Sequence, residues 1–293
     1  MYLINLINSL IKKFFYIVYK ILFIIDLIIN KIIRKRFFYW FREFFEKDSY
    51  KIIKLKNKEL VFFTPNEITD WRVHTFFSKE PDTLEWIDNF KGDKIIFWDI
   101  GANIGLYSIY AAIKHKEIKI ISFEPSVNNL RILSRNIYKN NLTNSIKIFQ
   151  LPLSENKNIF SNMNENEFIE GWSMSNFGDL KNSEGKNFSP KHSYKIFGTN
   201  INYLLDNKII PFPNYIKIDV DGIEHKILNG ASNHLSDFNL KSILVELNEN
   251  YSEQYHSVIN LMSKNNFNRV KSKTAASIDK EKVSKTLNHI FEK

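Results

Sequence analysis

No cysteine occurs among the 293 residues. Disulfides, thiolate metal sites and a cysteine nucleophile are therefore excluded, which suits a reducing compartment such as the cytoplasm. Small residues are missing from the beginning of the chain: the first glycine is Gly92 and the first alanine is Ala102. No small-residue cleavage site of a secretory leader can follow the apolar N-terminal stretch. An uninterrupted apolar run is lacking too. The window 14–33 has the ~20 residues that a span requires, yet Lys20, Asp26 and Lys31 fall inside it. Each central charge costs roughly 2.5–3.5 kcal/mol on insertion scales. Finally, the bulk of the chain lacks a charge excess. Residues 1–47 hold nine Lys/Arg against three acids, a net +6, while the rest holds 32 basic and 29 acidic side chains. A nucleic-acid partner is disfavoured, since such a binder spreads basic charge over its working face.

What the N-terminal segment does have is helical periodicity. Leu3, Ile7, Leu10, Phe14, Ile17, Ile21, Ile24 and Ile28 alternate steps of four and three, and Ile4, Ile11, Val18 and Ile25 widen the same face. Asn5, Lys12, Lys13, Lys20 and Asp26 fall on the other side, and the basic cluster Lys31 to Arg36 precedes five aromatic residues, Phe37 to Phe41. This pattern predicts an amphipathic segment over 1–47. An anionic membrane surface on the cytoplasmic face would hold it peripherally; packing on the chain's own core or on a partner is the competing reading. Residues 48–90 read as an entry subdomain: a short β-ribbon ending at Pro65, then a helix over 80–88 with Pro81 in its first turn.

From residue 91 onward short apolar strands alternate with amphipathic helices, so the expected fold class is α/β, a doubly wound and mostly parallel sheet. A first strand, Lys94 to Trp98, runs into Asp99-Ile-Gly101-Ala-Asn103-Ile-Gly105 and then a helix. Ligands bind at the carboxyl ends of such strands, and glycines at 101 and 105 permit a tight turn and close approach. Dinucleotide enzymes have a Gly-rich turn too. Asp99 discriminates: a carboxylate there repels a pyrophosphate but suits a ligand with an amino group and a sulfonium, as in S-adenosylmethionine. The second strand, Ile118 to Phe123, ends in Glu124, which can accept hydrogen bonds from both ribose hydroxyls. After a third strand, Ile146 to Phe149, the loop 151–154 places Leu153 and Ser154 on the adenine side. The expected cofactor-binding set is Asp99, Gly101, Asn103, Gly105, Glu124, Leu153 and Ser154.

The fourth strand, Tyr215 to Ile218, ends in Asp219-Val-Asp221-Gly222-Ile-Glu224; the fifth, Ser242 to Val245, ends in Glu246; Leu287 to Phe291 closes the sheet. Asp219 and Glu246 end adjacent strands and are the candidate catalytic groups, Asp219 beside the transferred group and Glu246 towards the acceptor. Clustered carboxylates can also bind a divalent cation; that is disfavoured, because no imidazole accompanies them at a suitable spacing. His192 and His225 are alternative bases. The polar stretch 155–200, with Trp172, Phe177, His192 and Tyr194, reads equally as an acceptor lid or as a surface insertion.

In order and spacing, residues 99–105, Phe-Glu-Pro-Ser (123–126), Asn136, Ile-Lys-Ile-Asp-Val-Asp-Gly-Ile-Glu (216–224) and Asn-His-Ile-Phe (288–291) resemble the FkbM-type methyltransferases, a branch of the class I S-adenosylmethionine-dependent superfamily. Asp221 departs from that pattern, which more often has Glu. The resemblance implies a seven-stranded sheet with an antiparallel last strand, and O-methylation of a sugar, glycan or polyketide-type hydroxyl. Methylation of cytosine C5 needs the missing cysteine. Nucleobase N-methylating enzymes resemble one another in an Asn/Asp-Pro-Pro-aromatic turn, where this chain has Asp-Val-Asp-Gly. A non-catalytic module on the same fold is the alternative in another class; a thermal-shift comparison of S-adenosylhomocysteine with NAD separates it, and a dehydrogenase, from the methyltransferase reading.

Overall fold

A computed structural model describes residues 2–56, 58–274 and 286–293; the stretch 275–285, inside the last expected domain, lies outside them. The chain divides into two compact units, residues 1–50 and 51–293.

The first unit is a pair of helices, α1 (Tyr2–Ile33) and α2 (Phe38–Asp48). Asp26 is buried rather than on the wet side of α1: its carboxylate accepts from Arg36 Nε at 2.5 Å and from the Phe38 backbone N–H at 3.2 Å. Burial alone would raise this carboxyl, but the Arg36 side chain and these hydrogen bonds hold it below its ordinary value. Tyr19 and Phe23 of α1 meet Phe38 of α2 at ring separations of 5.7 and 6.0 Å. Large apolar side chains on α1 (Phe14, Phe15, Ile17, Ile21, Ile24) and α2 (Tyr39, Trp40, Phe45) stay exposed. No helix among the described residues is long and apolar enough to cross a membrane.

The second unit begins with a hairpin, β1 (Tyr50–Leu55) and β2 (Lys58–Phe63), then α3 (Glu67–His74), α4 (Phe76–Lys79) and α5 (Pro81–Asp88). Asn66 starts α3 through a capping box with Thr69, and Pro81 opens α5, where its missing N–H costs nothing. There follow β3 (Ile95–Ile100), α6 (Leu106–Lys114), β4 (Ile118–Phe123), α7 (Val127–Lys139) and β5 (Ile146–Phe149). The insertion carries β6 (Ile159–Glu165), β7 (Ser175–Phe177) and β8 (His192–Gly198). Then come α8 (Ile201–Asp206), β9 (Tyr215–Ile218), α9 (Glu224–Asn229), β10 (Ser242–Asn248), α10 (Ser252–Lys264), β11 (Asn268–Thr274) and β12 (Thr286–Glu292).

Seven strands make the main sheet in the order β11-β12-β10-β9-β3-β4-β5, with β12 antiparallel to both of its neighbours. This is the doubly wound, mostly parallel architecture expected from the sequence. The order reverses at β3 and β9, whose carboxyl ends therefore flank the crevice where such folds bind ligands. One face of the sheet is a continuous apolar core: Trp98, Ile100, Ile216, Ile218, Ile243 and Val245 pack with Leu204, Ile227, Leu228, Val258 and Met262. The other face begins apolar, with Trp86 and Phe90 against Phe97 and Tyr215. Towards the carboxyl edge it turns polar. Ser122, Asp99 and Lys217 stand directly across β4, β3 and β9, all buried. The antiparallel insertion sheet, ordered β7-β6-β8, occupies the stretch read from sequence as lid or surface insertion.

Candidate active site

At the carboxyl edge of the sheet lies a cavity of about 320 Å³, within the range of small-molecule clefts. Its floor is the turn after β3. Gly101 sits at φ +86°, and a Cβ there would collide with the Asp219 carbonyl. Asn103 is also left-handed, at φ +50°, a conformation that asparagine tolerates. Its side chain donates to the Trp172 carbonyl at 3.1 Å, and Asn129 of α7 donates to the same oxygen at 3.2 Å. The insertion is thus fastened to the turn. Among the described residues Asn103 Oδ1 and Trp172 Nε1 are buried without a partner, and both side chains belong to residues that line the cavity. An acceptor and a donor are therefore available to a ligand.

One end of the cavity is apolar, lined by Phe123, Leu151, Leu153, Met163 and Phe177. Next to it Glu124 accepts from the backbone N–H groups of Asn103 at 2.7 Å and Ser126 at 2.9 Å. Burial pushes its carboxyl up to about 7 against the pull of those N–H groups. The remaining lone pairs can still accept from hydroxyls.

The other end holds the acids. Asp219, Asp221 and Glu246 line it with Arg72 and Lys79. Carboxylate oxygens of Glu80, Asp219 and Glu246 lie within 4.8 Å of one another. Two ammonium groups already serve this cluster: Lys217 reaches Asp219 at 2.7 Å and Lys79 reaches Glu80 at 2.7 Å. Burial opposes ionisation of Asp219, yet Lys217 and Lys79 hold it down to about 2. Glu246 goes the other way, raised well above its ordinary range by burial and by the charge on Asp219. The two titrate as a coupled pair, in which the environment favours the charged form of Asp219 and disfavours that of Glu246. Such spacing would suit a hard cation, but the donor set is already balanced by the two lysines.

Of the residues expected from sequence to bind a cofactor, the structure brings Gly101, Asn103, Glu124 and Leu153 to the cavity, with Asp219 and Glu246 opposite. Asp99, Gly105 and Ser154 are not among the lining residues. The strand continues through Ile100, so the pleat directs Asp99 to the α6 side, where it accepts from Ser108 Oγ at 2.5 Å. Burial raises its carboxyl, with Lys217 and Ser108 opposing. Gly105 serves packing: a Cβ there would come within 2.6 Å of Leu133. The hydroxyl of Ser154 turns back to the Asn156 N–H at 3.2 Å. Glu224 closes the loop after β9, accepting from Val220 N, Gly222 N and Gln254 Nε2. Neither His192 nor His225 lines the cavity. Arg72, Lys79 and Glu80 were not identified from sequence; α3 and α4 bear no motif that marks them. Lys217 stood within a recognised segment but in a strand read as apolar.

Residues 99–269 match the family described as the methyltransferase FkbM domain. Over 56 residues the chain is 43% identical to methyltransferase sdnD of Sordaria araneosa, a stretch that is 19% of this chain and 22% of that one. The match thus spans about a fifth of that relative's length. Among solved structures, precorrin-6y C5,15-methyltransferase of Geobacter metallireducens is 14% identical, with 73% of this chain and 86% of that one covered and a TM-score of 0.42. TYW2 of M. jannaschii, in complex with AdoMet, is 11% identical, with 84% and 87% covered and a TM-score of 0.42.

Proposed function

Since the chain belongs to the FkbM methyltransferase family, we propose that it is an S-adenosylmethionine-dependent O-methyltransferase acting on a hydroxyl of a sugar, a glycan or a related small molecule. The observation that carries this reading is the division of the cavity: an apolar end beside Glu124, and a carboxyl pair at the other end. Phe123, Leu151, Leu153, Met163 and Phe177 suit the adenine, Glu124 the ribose hydroxyls, and Gly101 with Asn103 the amino-acid end. Asp99, Gly105 and Ser154, which lie outside the cavity lining, take no cofactor contact in this scheme. S-adenosylmethionine supplies an electrophilic methyl group on a positively charged sulfur.

Asp219, kept ionised by Lys217, favours positive charge at that end of the cavity. Glu246 takes the proton of the acceptor hydroxyl. Burial and Asp219 raise its basicity towards what that task needs, so the base form gains as pH rises. Trp172 offers a face on which a sugar ring can stack. No divalent ion is needed in this scheme, since Lys79 and Lys217 already balance two of the three clustered acids. The test is transfer from labelled S-adenosylmethionine to a panel of glycosides, with and without a chelator. A methyl ether is the expected product in both conditions. Transfer only to amines would refute the hydroxyl assignment, and chelator-sensitive turnover would give the carboxylate cluster a metal.

Residues 1–47 are assigned, on the same footing, to an anionic membrane surface on the cytoplasmic face. Exposed Phe14, Ile17, Ile21 and Ile24, with the Lys31 to Arg36 cluster, combine apolar area with positive charge. The full chain should sediment with phosphatidylserine vesicles and less with neutral ones. Equal recovery in the supernatant with both would redirect the segment to a protein partner.

A further inference from the structure

Two cations, Arg72 and Lys79, line the main cavity, and they differ in their partners. Lys79 is matched by Glu80 at 2.7 Å, and the neighbouring buried Lys217 by Asp219 at 2.7 Å. Arg72 pairs with no carboxylate among the described residues. Its Nε donates to the Gly171 carbonyl at 2.6 Å, so the rest of the guanidinium fork has donors to spare. That carbonyl is held in place: Gly171 N donates to Asn129 Oδ1 at 2.8 Å, and Gly171 sits at φ +80°, where a Cβ would press on Thr69 at 2.6 Å. Asn66, the cap of α3, donates to the adjacent Glu170 carbonyl at 3.0 Å. The fork of Arg72 is therefore pre-oriented by α3 and by the insertion together.

Its place in the cavity narrows what it can receive. Arg72 lines both the main cavity and an adjoining recess, and Gly101 and Asn103 line both with it. On the cofactor reading this is the amino-acid side of the turn, away from the apolar end. The methionine moiety has one carboxylate, one ammonium and, at its sulfur, a further positive charge. The acids of this end answer the positive groups, and Arg72, which acts on Asp221 through space but is ion-paired to no carboxylate among the described residues, answers the negative one. Resting on the cofactor reading above, we propose that Arg72 is the subsite for the carboxylate of the cofactor's amino-acid end. A carboxylate on the acceptor has the same chemistry, and the experiment separates the two.

Calorimetry with S-adenosylhomocysteine and with 5′-methylthioadenosine, which shares the nucleoside and sulfur but has no amino-acid end, isolates the contact. Wild type should prefer S-adenosylhomocysteine. In Arg72→Ala that preference should shrink by tenfold to a hundredfold, on the order expected for a charged hydrogen-bonded pair, while methylthioadenosine binds as before. Arg72→Lys, which keeps charge but not the fork, should fall between. Because the readout is a ratio, partial misfolding of a variant does not move it. An unchanged ratio in Arg72→Ala overturns the proposal and leaves the acceptor as the source of any carboxylate. Failure of wild type to bind either ligand overturns the cofactor reading itself, and this subsite with it.

Discussion

The two faces of the central sheet are made by alternate residues of the same strands, yet they differ in kind. On the α8–α10 side Ile100, Ile216, Ile218, Ile243 and Val245 build a dry core. On the α5–α6 side the row Ser122, Asp99, Lys217 is buried and polar; on β10 Leu244 stands across from Lys217, and Glu246 follows on the same face nearer the edge. A row of buried charge is a poor source of stability, because desolvation consumes most of what pairing returns. The lesson is a division of labour along one backbone: one face holds the sheet together, and the other sets the protonation of the groups at its edge.

The largest expected effect tests the charged face. Asp219→Asn should lower turnover per folded molecule roughly a hundredfold to ten-thousandfold, the range of a lost acid–base partner or its electrostatic support, and should also lower the thermal midpoint, because it leaves the buried Lys217 without its charge partner. Glu246→Gln should lower turnover over the same range. In wild type the rate should rise with pH, since Glu246 must lose its proton to act as base; a rate profile in Asp219→Asn as fast as wild type would dissolve the catalytic assignment. Next comes the dry face. Ile218→Ala should destabilise by about 2–5 kcal/mol in denaturant titration while turnover per folded molecule holds. If turnover falls as far as in Asp219→Asn, the two faces are not separable.

A smaller effect comes from an exception on the dry side. His289, opposite Val245, is buried with neither ring nitrogen bonded among the described residues, and burial with Arg269 nearby lowers it to about 4. In the unfolded chain it would titrate near its ordinary 6.5. Stability is therefore intact above that value and is lost as pH falls from there towards 4. Between pH 7 and 5 wild type should lose about 2 kcal/mol relative to His289→Leu; parallel pH curves for the two would show that the ring is solvated. The smallest effect concerns Glu124, whose carboxyl lies at about 7. Affinity for S-adenosylhomocysteine should fall several-fold as pH drops through that value, and Glu124→Gln should flatten the slope.

The dry face was the legible one. Apolar runs marked β4, β5 and β9 residue for residue and β3 and β10 nearly so, because their burial on one or both faces leaves hydrophobic letters. The motif residues Gly101, Asn103, Glu124 and Asp219 were legible through backbone demands and strand-end position. Illegible were the elements that do not write apolar patterns. Asn-Arg-Val-Lys-Ser-Lys-Thr of β11 pairs as a strand with little apolar content, and β6 to β8 are half polar. Arg72, Lys79 and Glu80 come to the site only through the packing of α3 to α5, which no local spacing encodes. Asp99 shows the converse limit: the letter is legible, but strand pairing runs two residues further, through Asp99 and Ile100, and the pleat turns the Asp99 side chain to the other side of the sheet.

Gly101 touches both faces of this story. The carbonyl of Asp219 lies where a Cβ of residue 101 would be, and Val220 Cγ1 lies 3.2 Å away from that point. At this turn the end of β3 therefore has room for a hydrogen atom but not for a methyl group against the Asp219 carbonyl. A single methyl at codon 101 would act as a wedge, prying the Asp219 turn from its neighbour without touching the buried hydrocarbon beneath. In a saturation library selected for product formation, that codon should return glycine alone, while selection for fold alone should pass a few small residues.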